Sequence, residues 1–184
     1  MKKNILFVLL TVLLSSCFEL DNYDAPNAGI NGSLIDSETG EVVYTEQPDG
    51  CRIKLLDLGY KDPTPLYFWA KANGTFRNVA LFEGDYKVSP IEGPFFPVTE
   101  EELSLKGVTD HNFKVTPYLK IKLVEVVPGE AGEVTVKFSL KRSTVPEGME
   151  IGKKTISEAW LLCNTMPVVS YYNCLLYTSD AADD

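Results

Sequence analysis

Histidine is almost absent from this chain: His111 is the only one in 184 residues. The sequence also holds no metal-ligand cluster, no nucleophile elbow and no glycine-rich phosphate loop, so it carries no enzyme signature and implies no cofactor. His111 itself, beside Asp110 in a turn before a strand-like run, reads as a solvated loop residue. Positive charge is in short supply as well. Lys and Arg number 17 against 26 Asp and Glu, a formal net charge of −9. Nucleic acid and anionic membrane surfaces both require basic patches, which excludes them as expected partners. Long apolar runs are lacking too. Ile5 to Leu14, interrupted by Thr11, falls short of the roughly 20 apolar residues a spanning helix needs.

That short run has another reading. Lys2 and Lys3 supply a positive n-region, Ile5 to Leu14 an apolar h-region, and Leu14-Ser15-Ser16-Cys17 resembles the bacterial lipobox. In a lipobox the cysteine is diacylated and becomes the new N-terminus, so residues 1–17 are expected to be a lipoprotein signal peptide and Cys17 the attachment to outer-membrane lipid. Several acyl chains hold stably where one is marginal, at about 0.8 kcal/mol per buried CH₂. Glu19, Asp21 and Asp24 follow within seven residues. They resemble the acidic export signal of Bacteroidetes lipoproteins, which implies an outer-membrane protein facing the cell exterior. The alternative for residues 18–28 is a plain solvated acidic tether.

The other end, CLLYTSDAADD (174–184), resembles translated sequencing adapter and is set aside as an artefact. Without residues 1–17 and 174–184 the chain loses Lys2, Lys3, Asp180, Asp183 and Asp184, leaving 15 basic and 23 acidic residues and a charge of −8. Two thiols remain. Cys51 opens an alternating stretch and Cys163 closes the apolar Trp160-Leu161-Leu162, so both are expected in the core; their placement in different domains argues against a disulfide.

Between these ends the pattern is all-β. Ile30 to Ile35 alternates and runs into the turn-rich Asp36-Ser37-Glu38-Thr39-Gly40; Cys51 to Leu56 alternates next. Leu66 to Lys71 and Thr75 to Leu81 flank Ala72-Asn73-Gly74, and Asn-Gly between two strand-like runs predicts a hairpin. Glu83-Gly84-Asp85 turns into Tyr86-Lys87-Val88. Residues 99–106 could open a helix through Thr99 and Glu102, yet Leu103-Ser104-Leu105 favours a strand. Asn112 to Tyr118 alternates and closes the first unit.

The order of these pieces resembles the carboxypeptidase-regulatory-like, or transthyretin-like, β-sandwich. Three parts carry the resemblance: Gly32-Ser33-Leu34-Ile35-Asp36 with Thr39-Gly40, then Gly50-Cys51-Arg52-Ile53-Lys54-Leu55, then Gly74-Thr75-Phe76 with Leu81-Phe82-Glu83-Gly84-Asp85-Tyr86-Lys87-Val88. The expected fold is therefore a prealbumin-like (Greek-key) β-sandwich over residues 29–118. Beyond it, Leu119 to Val126, Glu133 to Lys141 and Thr155 to Leu162 restart the period-2 pattern. Residues 119–173 would then be an incomplete immunoglobulin/fibronectin-like β-domain, since such a sandwich takes about seven strands.

The combined arrangement, with "FKVTPYLKI" between its two β-units, resembles a family of Bacteroidales lipoproteins called domain of unknown function 3823. Members are encoded beside SusC-like transporters and SusD-like glycan-binding lipoproteins. The resemblance implies a non-catalytic accessory of glycan capture at the cell surface, with glycan and SusC/SusD-like proteins as partners; a docking component of the transporter complex is the alternative. The family brings no catalytic residues. Glu100-Glu101-Glu102 supplies acids for a hydrolase, but adjacent loop carboxylates are usually solvated.

Aromatics are the better candidates for a binding surface, because flat rings stack on the apolar faces of sugars. Tyr60, Tyr67, Phe68 and Trp69 surround a proline-rich loop, and Phe95-Phe96 sits between Pro94 and Pro97. Tyr60, Tyr67, Trp69, Phe95 and Phe96 are thus the ligand-binding candidates. Alternation along a strand puts Tyr67 and Trp69 on one face and Phe68 on the other. One face has to be core, and Trp69 is expected there.

Overall fold

A computed structural model describes residues 24–149, 156, 158–174 and 176–180. Cys17, Glu19 and Asp21 lie outside the described residues; Asp24 is exposed at their beginning. The chain is all-β. Its strands are β1 (Ala28–Asp36), β2 (Arg52–Asp57), β3 (Leu66–Trp69), β4 (Thr75–Leu81), β5 (Gly84–Ile91), β6 (Glu101–Leu105), β7 (Val108–Asp110), β8 (Phe113–Val115), β9 (Leu119–Pro128), β10 (Val134–Arg142), β11 (Ala159–Cys163) and β12 (Leu176–Asp180).

Two four-stranded sheets form the first unit. One runs β3-β2-β5-β6; the other runs β4-β1-β7, with β8 also paired to β1. Period-2 alternation supplies the facing side chains. Ile53 and Leu55 on β2, Tyr86 and Val88 on β5 and Leu105 on β6 meet Ile30, Leu34, Phe76, Phe113 and Val115 of the second sheet. Phe76 lies 5.4 Å from Phe113 and 6.3 Å from Phe68, which joins the two sheets through aromatic contact. Full burial of a side chain of this size is worth about 1.5–3 kcal/mol, so this layer holds the unit together. Cys51 is buried in it, and burial pushes its thiol up to about 12.

The Asn73-Gly74 turn is not the turn of a hairpin. β3 pairs with β2 and β4 pairs with β1, so the chain crosses from one sheet to the other at this point. The turn chemistry itself is as expected: Gly74 adopts φ +70 and donates to the Lys71 carbonyl. A Cβ there would collide with the Val43 carbonyl oxygen. What local sequence lacks is the partner of each strand, which burial of Phe68 and Phe76 against one another decides.

β1 also has parallel partners that alternation did not reveal. Gly29 to Asn31 run beside Val108 to Asp110, and Leu34 to Asp36 beside Phe113 to Val115, in one continuous register. Where the partner strand is interrupted, Asn112 Oδ1 accepts from the Ser33 amide at 2.8 Å, and the His111 amide donates to the Asn31 carbonyl. His111 is therefore no solvated loop residue. Its ring stands edge-on to Phe113 at 4.8 Å, and its Nε2 lies 3.1 Å from Glu101 Oε2.

Beyond residue 118, β9 and β10 form an antiparallel ribbon closed by a 3-10 turn, Glu130–Gly132. Lys120 ties its first residues to the end of β1, with Nζ 3.3 Å from Asp36 Oδ2 and 2.5 Å from Glu38 Oε2. β11 pairs with β12, so Leu176–Asp180, within the tail set aside above, is a strand. Cys163, expected in the core, is exposed on β11, because that strand has a single partner among the described residues.

Candidate functional site

β3 is the edge of its sheet and is only four residues long, with Pro63 and Pro65 just before it. Phe68 turns inward and packs against the core. Tyr67 and Trp69 turn outward and are 43% and 44% exposed. Trp69 is thus not a core residue: Phe68 takes the inward position, and alternation commits both of its neighbours to the outer face.

Register then decides what lies beside the two rings. Lys54 pairs with Tyr67 and Arg52 with Trp69, and on the far side of β2 these two meet Ser89 and Ile91 of β5. The Arg52 guanidinium lies over both rings, 4.6 Å from the Tyr67 centroid and 5.5 Å from that of Trp69. Arg52 Nε donates to Glu92 Oε2 at 2.6 Å and Nη2 donates to Oε1, a bidentate pair. That bond holds the guanidinium above, and the Glu92 carboxyl below, its ordinary range.

Glu92 is the one non-glycine residue with positive φ among the described residues, at 60°. The left-handed conformation is unfavourable for a side chain by about 1 kcal/mol or more and is retained where surrounding contacts fix it. Here it swings the carboxylate from the end of β5 back to Arg52.

The same face continues with further pairs. Lys54 Nζ donates to Glu100 Oε1 at 2.7 Å, which raises the ammonium above its usual value, and Lys87 Nζ lies 3.6 Å from Glu102 Oε1. Of the Glu100-Glu101-Glu102 run, Glu100 and Glu102 thus face lysines, and Glu101 lies against the His111 ring. The arrangement offers two flat apolar rings for stacking and, around them, planar charged groups whose remaining donors and acceptors can meet hydroxyls. Among the described residues no three His, Cys, Asp or Glu side chains are grouped to hold a metal ion.

The other candidates lie elsewhere. Tyr60 is 70% exposed in the β2–β3 loop, at the Asp57 end of the sheet. Phe95 and Phe96 are 3% and 4% exposed and cannot present a stacking face. Phe95 belongs to the core, bridging to Pro117, and Phe96 packs edge-on to Tyr118 at 4.9 Å. The flanking prolines extend the backbone and drive both rings inward instead of displaying them. Sequence reasoning missed Arg52, Lys54 and Glu92. Alternation of Arg52 and Lys54 with buried Ile53 and Leu55 was a usable signal; the left-handed turn at Glu92 left none. It also missed a second exposed aromatic group, Trp160, Tyr171 and Tyr172, with centroids 5.3 and 5.6 Å apart.

Residues 28–116 match the family model described as protein of unknown function (DUF3823), N-terminal domain. Among solved structures, a Bacteroides uniformis protein provisionally described as carbohydrate binding shares 30% identity at a TM-score of 0.57, over 64% of this chain and 54% of its own. The chain thus spans about half the length of that protein. A DUF3823 family protein of Bacteroides uniformis aligns at a TM-score of 0.74 and 23% identity, over 85% of this chain and 75% of its own. One from Parabacteroides merdae aligns at 0.70 and 24%, over 87% and 77%. At these identities the last two establish the fold, which they share with this chain past residue 116. No curated protein matches it. The chain thus carries a DUF3823 N-terminal domain over residues 28–116 and shares its fold with two solved DUF3823 family proteins.

Proposed function

We propose that this protein is a non-catalytic glycan-binding lipoprotein whose ligand stacks on the outer face of the β3-β2-β5-β6 sheet. The observation that carries this reading is the pair Tyr67 and Trp69, both outward, both half exposed, with the Arg52–Glu92 fork beside them. Aromatic rings buried in a core serve packing; two on one solvent-facing strand, braced by an arginine, form a platform. The description of the Bacteroides uniformis protein as carbohydrate binding supports it. In this reading Cys17 anchors the chain to the outer membrane, and Glu19, Asp21 and Asp24 direct it to the exterior, where it serves a SusC/SusD-type uptake system. The test is retention on a polysaccharide panel by affinity electrophoresis: wild type is retarded by at least one polymer and Trp69→Ala is not. Equal retardation of both proteins would sink the platform.

A docking role in a transporter complex is the second reading. It is favoured by the β9–β10 ribbon, which exposes Ile121, Leu123, Val124, Val126 and Phe138. Co-purification of a transporter with a Trp69→Ala variant, together with silence on every polysaccharide, would move the assignment there.

A further inference from the structure

We infer that the Tyr67–Trp69 face selects uncharged glycans over acidic ones, an inference that rests on the glycan-binding reading above. Three cations lie on this face, Arg52 and Lys54 on β2 and Lys87 on β5, and each already faces a carboxylate of its own: Glu92, Glu100 and Glu102. Asp85, exposed two residues before Lys87 and on the same side of β5, adds a further negative charge. Every basic residue of β2 and β5 thus faces a carboxylate, on a chain whose formal charge is −9; Lys71, exposed just past Trp69, lies beyond these strands.

A uronate or sulfate ester brought onto the rings would have to displace Glu92 from a bidentate pair, or approach Arg52 with Glu92 still in place. Either route sets like charges within a few ångströms of one another, well inside the screening length of about 8 Å at physiological salt. Hydroxyls face no such conflict. Glu92 uses one N–H on Nε and one on Nη2 of a guanidinium that has five, so three donors remain. The carboxylates of Glu92 and Glu100 retain lone pairs for the hydroxyl hydrogens. A neutral sugar can thus stack on Tyr67 or Trp69 and hydrogen-bond at its rim without any ion pair being broken.

Affinity electrophoresis in gels containing neutral polymers (xylan, β-glucan, galactomannan) or polyuronates (polygalacturonate, alginate), at low and at high salt, tests this. Wild type is expected to be retarded by a neutral polymer with less than about a twofold change in Kd between the two salt conditions. Polyuronates should leave it unretarded. Glu92→Gln and Glu100→Gln, singly and together, free Arg52 and Lys54, and the double variant should gain polyuronate retardation that high salt abolishes. Wild type held more tightly by polyuronates than by any neutral polymer, with retention lost at high salt, overturns the selectivity while leaving glycan binding intact. Absence of retardation on every polymer, for the double variant as well, overturns glycan binding itself.

Discussion

Trp69 and Phe95 separate a side chain displayed for a ligand from one spent on packing. Both are large aromatics near prolines, and local sequence treats them alike. Trp69 sits half exposed on an edge strand, whereas Phe95 is enclosed between the sheets. Trp69→Ala should change unfolding free energy by less than about 1 kcal/mol, in the range of surface substitutions, while Phe95→Ala should cost about 3 kcal/mol or more. Urea midpoints measure both, and similar losses would mean that Trp69 is structural. Gly32 makes the opposite point, because its importance was legible as a motif residue but not its reason. A Cβ at this position would collide with the His111 carbonyl oxygen and press on the Phe76 ring. Gly32→Ala should therefore destabilise by about 3 kcal/mol, the upper end of overpacking effects, through the contact of β1 with the β7–β8 junction. Exchange protection of the His111 amide, bonded to Asn31, should fall with it.

At the scale of elements, alternation was a faithful guide to where strands run and a poor one to what they pair with. β1, β2, β4, β6, β9 and β10 fall where period-2 alternation places them, each within a residue or two. Pairing follows instead from which inward faces meet across the core, a non-local fact. Hence the Asn-Gly turn looked like a hairpin, and the parallel contacts of β1 with β7 and β8 gave no local sign. The same limit applied to the site. That Tyr67 and Trp69 share a face was readable from spacing, but not that it is the outer one, and Arg52 reaches them only because β2 lies beside β3 in that register. Gly74 tests the crossover. Gly74→Ala places a side chain at φ +70 and against the Val43 carbonyl, and should destabilise by at least about 2 kcal/mol. An inserted residue within an ordinary surface hairpin is tolerated; here, insertion after Asn73 should shift Phe76 and Leu81 out of register with β1. Loss of near-ultraviolet aromatic ellipticity would report it, and an unchanged spectrum would restore the hairpin.

For the whole molecule the decisive feature is how the ribbon beyond residue 118 is fastened to the sandwich. Asp36 is buried at the end of β1, and burial alone would raise its carboxyl; the Glu38 amide and Lys120 outweigh that and hold it below its ordinary value. Lys120 pulls Glu38 down in the same way, and Arg52 does so for Glu92 on the opposite sheet. A carboxyl whose folded value lies below its unfolded one stabilises the fold fully above the unfolded value, about 4, and loses that contribution as pH falls through the folded one. Lys120 is raised by Glu38 and Asp36, so its own contribution is complete below the ordinary lysine value and fades only as pH rises past it. Stability should then be level from about pH 5 to pH 8, decline steeply below about pH 4, and fall again above about pH 8, where the unfolded chain ionises Cys51 and the folded one, with its buried thiol, does not. Lys120→Met removes the cation common to Asp36 and Glu38 while keeping the aliphatic stem. It should lower stability at neutral pH, where Asp36 is left buried and charged, and flatten the acid decline measured by urea midpoints. If the variant retained the full acid slope, the carboxylates paired with Lys120 would not be what fastens the ribbon, and the slope would have to come from the outer-face pairs around Arg52 and Lys54.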